Sequence, residues 1–167
     1  NNLLIELHPK RKWIFGSNSH RTVCLFGFVD DLTSDELITV LLALCCDELI
    51  EFLSARSGQF LFIISDDQFT LCATDPAGTC QLLWTELNNK LCISDNLISL
   101  ENLLGLDRMP INERVAVSFA MSGYSIADKT IYECANSLMP GHYLIKKKNS
   151  KYVKRYYNWR PATYTGS

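Results

Sequence analysis

Seven cysteines and three histidines are the residues of this sequence with the widest chemical reach, and their spacing limits what they could do. A cysteine becomes a nucleophile when a nearby base or positive field holds it as the thiolate. Cys24, in the stretch Cys24-Leu25-Phe26-Gly27-Phe28, is the candidate. A cysteine inside such an apolar run is ordinarily a buried strand residue, and that reading is preferred. Cys45 and Cys46 are adjacent within a helical pattern, and C-x-x-C occurs nowhere, so no metal ligands are assigned. The odd cysteine count and irregular spacing argue for reduced thiols instead of a disulfide framework. His8, His20 and His142 are scattered and define no Cys-His pair. Asp66 and Asp67 could suggest paired carboxylates, but neighbours on a strand point to opposite faces, so a turn is the better account.

The elements that must position these residues follow from periodicity. Thr33 and Glu36 stand at capping-box spacing, and Leu37, Leu41, Leu44, Cys45 and Leu49 recur at helical spacing, which predicts one helix running to Arg56 before Gly58. From Gln59 to Ser94, four short apolar runs separated by Asp-Asp, Asp-Pro-Ala-Gly and Glu-Leu-Asn-Asn predict an antiparallel meander. The runs are almost continuously apolar, so both faces of the sheet should be covered. Two more helices are expected, one ending at Gly105 and one from Asn112 to Gly123. The last pair of strands forms a hairpin carrying Lys146, Lys147, Lys148, Lys151, Lys154 and Arg155. Such a hairpin could meet phosphate groups or an acidic peptide, but lysines more often solvate an edge strand. The expected fold class is α+β, a four-layer α/β/β/α sandwich of two antiparallel sheets. Its expected core includes Leu41, Leu44, Phe60, Phe62, Ile64, Leu71, Leu82 and Leu91.

Several short motifs then occur in a telling order. Gly58-Gln59-Phe60-Leu61-Phe62 with Asp66 is followed by Asp75-Pro76-Ala77-Gly78-Thr79-Cys80-Gln81-Leu82-Leu83 and by Ser94-Asp95-Asn96-Leu97. Gly123-Tyr124, Thr130-Ile131-Tyr132, Leu138-Met139-Pro140-Gly141-His142-Tyr143-Leu144 and Arg155-Tyr156-Tyr157 come after. In this order and spacing the chain resembles the amino-terminal glutaminase-like domain of asparagine synthetase-type enzymes, the class II glutamine amidotransferases. Thr74 before Asp75 is closer to the β-lactam synthetase branch, and lasso-peptide cyclases are a further comparison. The resemblance implies an Ntn-hydrolase-like fold over residues 1–159, with 160–167 as a linker or tail. It also implies that Gly58, Asp75, Gly78, Pro140 and Gly141 are architectural.

Family members hydrolyse glutamine with a leading cysteine whose own α-amine is the general base, and pass ammonia to a synthetase domain. Here the sequence begins at Asn1 and shows no match to the family's R-H-R-G-P-D stretch. The family's N-G-E motif falls on Phe26, Gly27 and Phe28, the degenerate glutamine-binding positions. Its asparagine donates to the developing oxyanion and phenylalanine cannot, a loss of about 3 kcal/mol in the transition state. The resemblance therefore implies a degenerate, non-hydrolytic domain of an ATP-dependent amide-forming ligase. The alternatives are an active glutaminase supplying ammonia to an asparagine synthase, with Cys24 as processed nucleophile, and a stand-alone peptide- or protein-binding module.

The ligase fingerprint S-G-G-x-D-S is absent from these 167 residues, so ATP and Mg²⁺ are expected in a separate synthetase domain, carboxyl-terminal in the same chain or in another. A peptide or small amine is the expected further partner. A net charge of −2 gives no bulk attraction to nucleic acid or anionic membrane. The longest apolar run is too short to span a bilayer and the amino end does not read as a secretion signal, so a cytoplasmic protein is expected.

Overall fold

The computed structural model describes residues 3–105, 109–124 and 127–158. In chain order the strands are β1 (Leu3–Glu6), β2 (Ile14–Ser17), β3 (Arg21–Val29), β4 (Gly58–Asp66), β5 (Phe69–Thr74), β6 (Leu83–Leu87), β7 (Lys90–Ser94), β8 (Asn136–Ser137), β9 (His142–Lys147) and β10 (Ser150–Arg155). The helices are α1 (Ser34–Ala43), α2 (Cys46–Ser54), α3 (Leu97–Leu104) and α4 (Glu113–Ser122). The strands make a six-stranded sheet ordered β10-β9-β5-β4-β3-β2 and a four-stranded sheet ordered β1-β7-β6-β8.

Period-two alternation explains why the strands can be apolar throughout. On one face of the larger sheet Val23, Leu25, Phe60, Phe62, Ile64, Leu71 and Ile145 pack with Leu37, Leu41, Leu49 and Leu53 of α1 and α2. Intervening residues Cys24, Leu61, Ile63, Cys72 and Leu144 point the other way, onto Leu82, Leu91 and Ile93 beneath the smaller sheet. The far face of that sheet buries Leu83 and Cys92 against Leu100 of α3. Four layers result, the α/β/β/α sandwich that the sequence predicts. One pairing, β1 with β7, is parallel within the otherwise antiparallel sheets.

Three local expectations are corrected. The four runs from Gln59 to Ser94 do not form one meander, because β4 and β5 pair in the larger sheet while β6 and β7 pair in the smaller. The chain changes sheets after Thr74, and the run predicted to start at Cys80 becomes a strand only at Leu83. The long first helix is two. Leu44 and Cys45 are extended, with ψ of 142° and 174°. Glu48 Oε2 accepts from the Cys45 N–H at 2.7 Å, so the second helix starts with its own acidic cap. Arg21 holds the break from β3: its Nη1 donates to the carbonyls of Leu41 and Leu44, while Nη2 pairs with Asp66 at 2.8 Å. The break also moves Cys45 to the exposed surface and leaves Leu44 only half-buried, so neither belongs to the buried stripe.

The first helix is capped as predicted. Thr33 Oγ1 accepts from the Glu36 N–H and Glu36 Oε2 accepts from the Thr33 N–H. Asn96 and Asn112 cap α3 and α4, which end at Gly105 and Gly123 in the left-handed region. No residue of α4 is buried, and Val117, Phe119 and Met121 are exposed on it. No helix among the described residues is long and apolar enough to cross a membrane.

At the opposite end of the larger sheet, Lys146 is buried and both it and Lys151 pair with Glu86 of β6; Lys146 Nζ also donates to Asn89 Oδ1 at 3.0 Å. These donors, Lys146 first, hold the Glu86 carboxyl below the ordinary glutamate range. The folded chain thus binds that proton less tightly than the unfolded chain. Its stabilisation is present at neutral pH and is lost as pH falls from about 4.3, the unfolded value, through the lowered folded value. Urea unfolding between neutral pH and pH 3 should show wild type losing more stability on acidification than Glu86→Gln, whose neutral side chain cannot titrate. Equal slopes would remove Glu86 from the account.

Candidate functional site

The chain crosses between sheets three times at one end of the sandwich, through residues 7–13, through Asp75–Leu82 and through Leu138–Gly141. The end of strand β3 carries Phe26-Gly27-Phe28 there, and the family resemblance puts the oxyanion donor at Phe26. Because β2 runs antiparallel to β3 with Ile14 opposite Leu25, Trp13 falls beside Phe26. The two rings lie 5.4 Å apart with planes at 45°, and the Arg11 guanidinium sits 5.2 Å from the Phe26 ring. Phe26 is therefore covered by the 7–13 crossing. Phe28 points outward and is exposed.

A buried acid anchors this cover. Asp95 follows β7, and the parallel register Glu6 opposite Ser94 brings the residues after β1 alongside it. Asp95 Oδ1 accepts from the His8 N–H and from Asn96 Nδ2, each at 2.9 Å. Oδ2 lies 3.2 Å from Arg11 Nη1. The contact is ionic in distance but lacks hydrogen-bond orientation, since both atoms, like Trp13 Nε1, are buried without a hydrogen-bond partner. Sequence reasoning missed this Arg11-Trp13-Asp95 group. Arg11 and Trp13 are two residues apart, so a strand-like stretch would turn them the same way, but nothing in the sequence says that Phe26 lies between them.

Gly27 has φ of +93°, and a Cβ there would lie 1.9 Å from the Gln59 carbonyl oxygen. Opposite the end of the same strand pair, a Cβ on Gly58 would lie 2.4 Å from the Phe28 carbonyl oxygen. The second crossing is tied by Asp75, which is fully buried. Its carboxylate accepts from the Ala77 N–H at 2.9 Å, the Thr79 N–H at 3.1 Å and the Thr79 hydroxyl at 2.7 Å. The Asp75 carbonyl accepts from Gly78 and Gly141. Gly78 packs so closely on Pro140 that a Cβ would come within 2.5 Å of it. The Thr74 hydroxyl donates to the Met139 carbonyl at 2.8 Å, and the Tyr156 hydroxyl to the Thr74 carbonyl at 2.7 Å. Asp75, Gly78, Pro140 and Gly141 thus form one knot of turns.

Cys24 lies two residues before Phe26 on the same inward face, 5% exposed. Burial pushes its thiol up to about 11, so the thiolate needed for attack is scarce at neutral pH. A pocket of about 440 Å³ reaches Cys24 and His20, but no hydrogen bond joins them. Asp66 in its wall is committed to Arg21 and to the N–H groups of Gln68 and Phe69. His142 Nδ1 is in contact with the Pro140 carbonyl. Among the described residues no group of three His, Cys, Asp or Glu could hold a metal ion.

No protein-family model matches the sequence, and no curated protein matches it. Solved structures do. Glutamine phosphoribosylpyrophosphate amidotransferase from B. subtilis, complexed with ADP and GMP, superposes with a TM-score of 0.50 at 12% identity, over 88% of this chain and 31% of that chain. A structure described as the allosteric regulatory enzyme of purine biosynthesis gives 0.48 at 14% identity over the same shares. The chain spans about a third of the length of these proteins. The first likeness is one of fold alone: this chain shares its two-sheet sandwich with part of that amidotransferase.

Proposed function

We propose that this chain is a non-hydrolytic, glutaminase-like domain of an asparagine synthetase-type ligase that forms amide bonds at the expense of ATP. The carrying observation is Phe26 lying under Trp13 and Arg11. In acyl transfer from an amide, the oxygen of the tetrahedral intermediate needs a preorganised donor. An aromatic ring offers none, and Gly27 beside it lies so close to β4 that an added Cβ would meet the Gln59 carbonyl. The buried, protonated Cys24 thiol supports the same reading from the nucleophile's side. In this scheme the rigid sandwich supports a synthetase domain, in the same chain or another. That domain would bind ATP and Mg²⁺ and would take its amine from a peptide, a small molecule or free ammonia. The asparagine synthetase branch rests on the order of the sequence motifs.

The test is ammonia release from glutamine by the protein and by Cys24→Ala. The expected result is no release above background from either, and no thioester with a glutamine-like electrophile. Hydrolysis that disappears in Cys24→Ala would overturn the proposal in favour of an active glutaminase with Cys24 as nucleophile. A reading frame continuing into S-G-G-x-D-S would support the ligase and oppose a stand-alone binding module.

A further inference from the structure

Strand β10 ends the larger sheet and pairs only with β9 among the described residues. The Tyr156 N–H donates to the Gly141 carbonyl, which places Tyr156 opposite Gly141 as a hydrogen-bonded pair. Backbone direction alternates along a strand, so Tyr152 and Lys154 also turn towards β9. The N–H and C=O groups of Lys151, Val153 and Arg155 then face outward along an open edge. All three residues are exposed.

The charge on this edge lies on both faces. Lys151 and Arg155 share the face of Lys146, their pattern set by Lys151 opposite Lys146 and Arg155 opposite His142. Lys154 lies on the other face, opposite Tyr143, with Lys147 further along β9. Lys146 and Lys151 are paired with Glu86. Lys147, Lys148, Lys154 and Arg155 have no carboxylate within ion-pair distance among the described residues. A second copy of the same edge would bring a second set of cations, Lys151, Lys154 and Arg155, close to the first, which opposes self-pairing. A phosphate chain would be served by cations on one surface, whereas these straddle the edge and accompany a row of open backbone donors and acceptors.

We propose that β10 is a docking edge for an acidic extended peptide, which adds a strand through the outward backbone groups of Lys151, Val153 and Arg155 and places carboxylates against Lys154 and Arg155. Backbone pairing supplies the geometry and charge selects the sequence. This inference does not depend on the assignment to a ligase.

The probe is a short fluorescent peptide of glutamate and valine with glutamates on both strand faces, titrated at low salt. A glutamine version, a backbone N-methylated version and a single-stranded oligonucleotide are compared. Val153→Pro removes an outward N–H without breaking the ladder to β9, a substitution that edge strands tolerate. Saturable binding of the acidic peptide is expected, with slowed hydrogen exchange at Val153. It should weaken about tenfold in Val153→Pro, as for the loss of one backbone hydrogen bond, and on N-methylation of the peptide. It should also weaken with Lys154→Glu plus Arg155→Glu, with the glutamine peptide, and as salt is raised. No binding at millimolar peptide overturns the proposal. So does binding indifferent to N-methylation, a result readable on the wild-type protein even if Val153→Pro fails to fold. Tighter binding of the oligonucleotide, unchanged in Val153→Pro, would overturn it by reassigning the lysines to phosphate.

Discussion

Phe62→Ala is expected to lower the unfolding free energy by about 3 to 5 kcal/mol, the range for deleting a buried ring from a close-packed core. Phe62 is fully buried in the layer between the larger sheet and helices α1 and α2, stacked on Phe60 at 4.5 Å. Leu41, Leu49 and Ile64 of the same core cluster are held in helices and a strand, which limits how far the core can collapse into the space. Urea unfolding followed by circular dichroism would measure the effect. A loss below about 1.5 kcal/mol, typical of volume-conserving swaps, would mean that the site is not close-packed.

Gly27→Ala should be of comparable size, for a different reason. A residue with a side chain at φ of +93° is strained by about 1 to 3 kcal/mol, and the added carbon would overlap the Gln59 carbonyl. Backbone of β4 must move, which disturbs the pairing of Gly27 with Phe60. We expect a loss of about 3 kcal/mol or more. Gly105→Ala is the control. Its φ is +65° but no neighbouring atom among the described residues lies within 4 Å of the added carbon, so only the left-handed penalty of about 1 to 2 kcal/mol applies. Equal losses at the two sites would refute the close approach at Gly27.

What could be read from sequence was what local chemistry decides. The Thr33-Glu36 box, the asparagine caps and the glycines that stop α3 and α4 each act within one turn of chain, and each was legible. So was the alternation-free greasiness of β4 and β5, which demanded cover on both faces. The split of the supposed meander was not, because Asp75-Pro76-Ala77-Gly78 specifies a sharp change of direction but not which sheet receives the next strand. The break at Leu44–Cys45 had a local sign, Glu48 three residues after Cys45, but the apolar stripe running through it was the louder signal. The cover over Phe26 depends on pairings between residues far apart: Asp95 with His8 and Arg11, Trp13 with Phe26. Only Phe26 itself, a ring where the resemblance calls for an amide, was visible beforehand.

The knot that joins Thr74 and Asp75 to Met139 and Gly141 closes a long excursion of the chain. Everything in the smaller sheet except β1 is built between those two points, and β9 then returns beside β5. The six-stranded sheet cannot be completed by local zippering; its last two strands wait for the excursion to close. The entropic cost of closing grows only slowly with length, about 0.6 kcal/mol per doubling. The excursion could therefore lengthen at its loops with little loss of stability, while the time needed to bring its ends together would set the pace of folding.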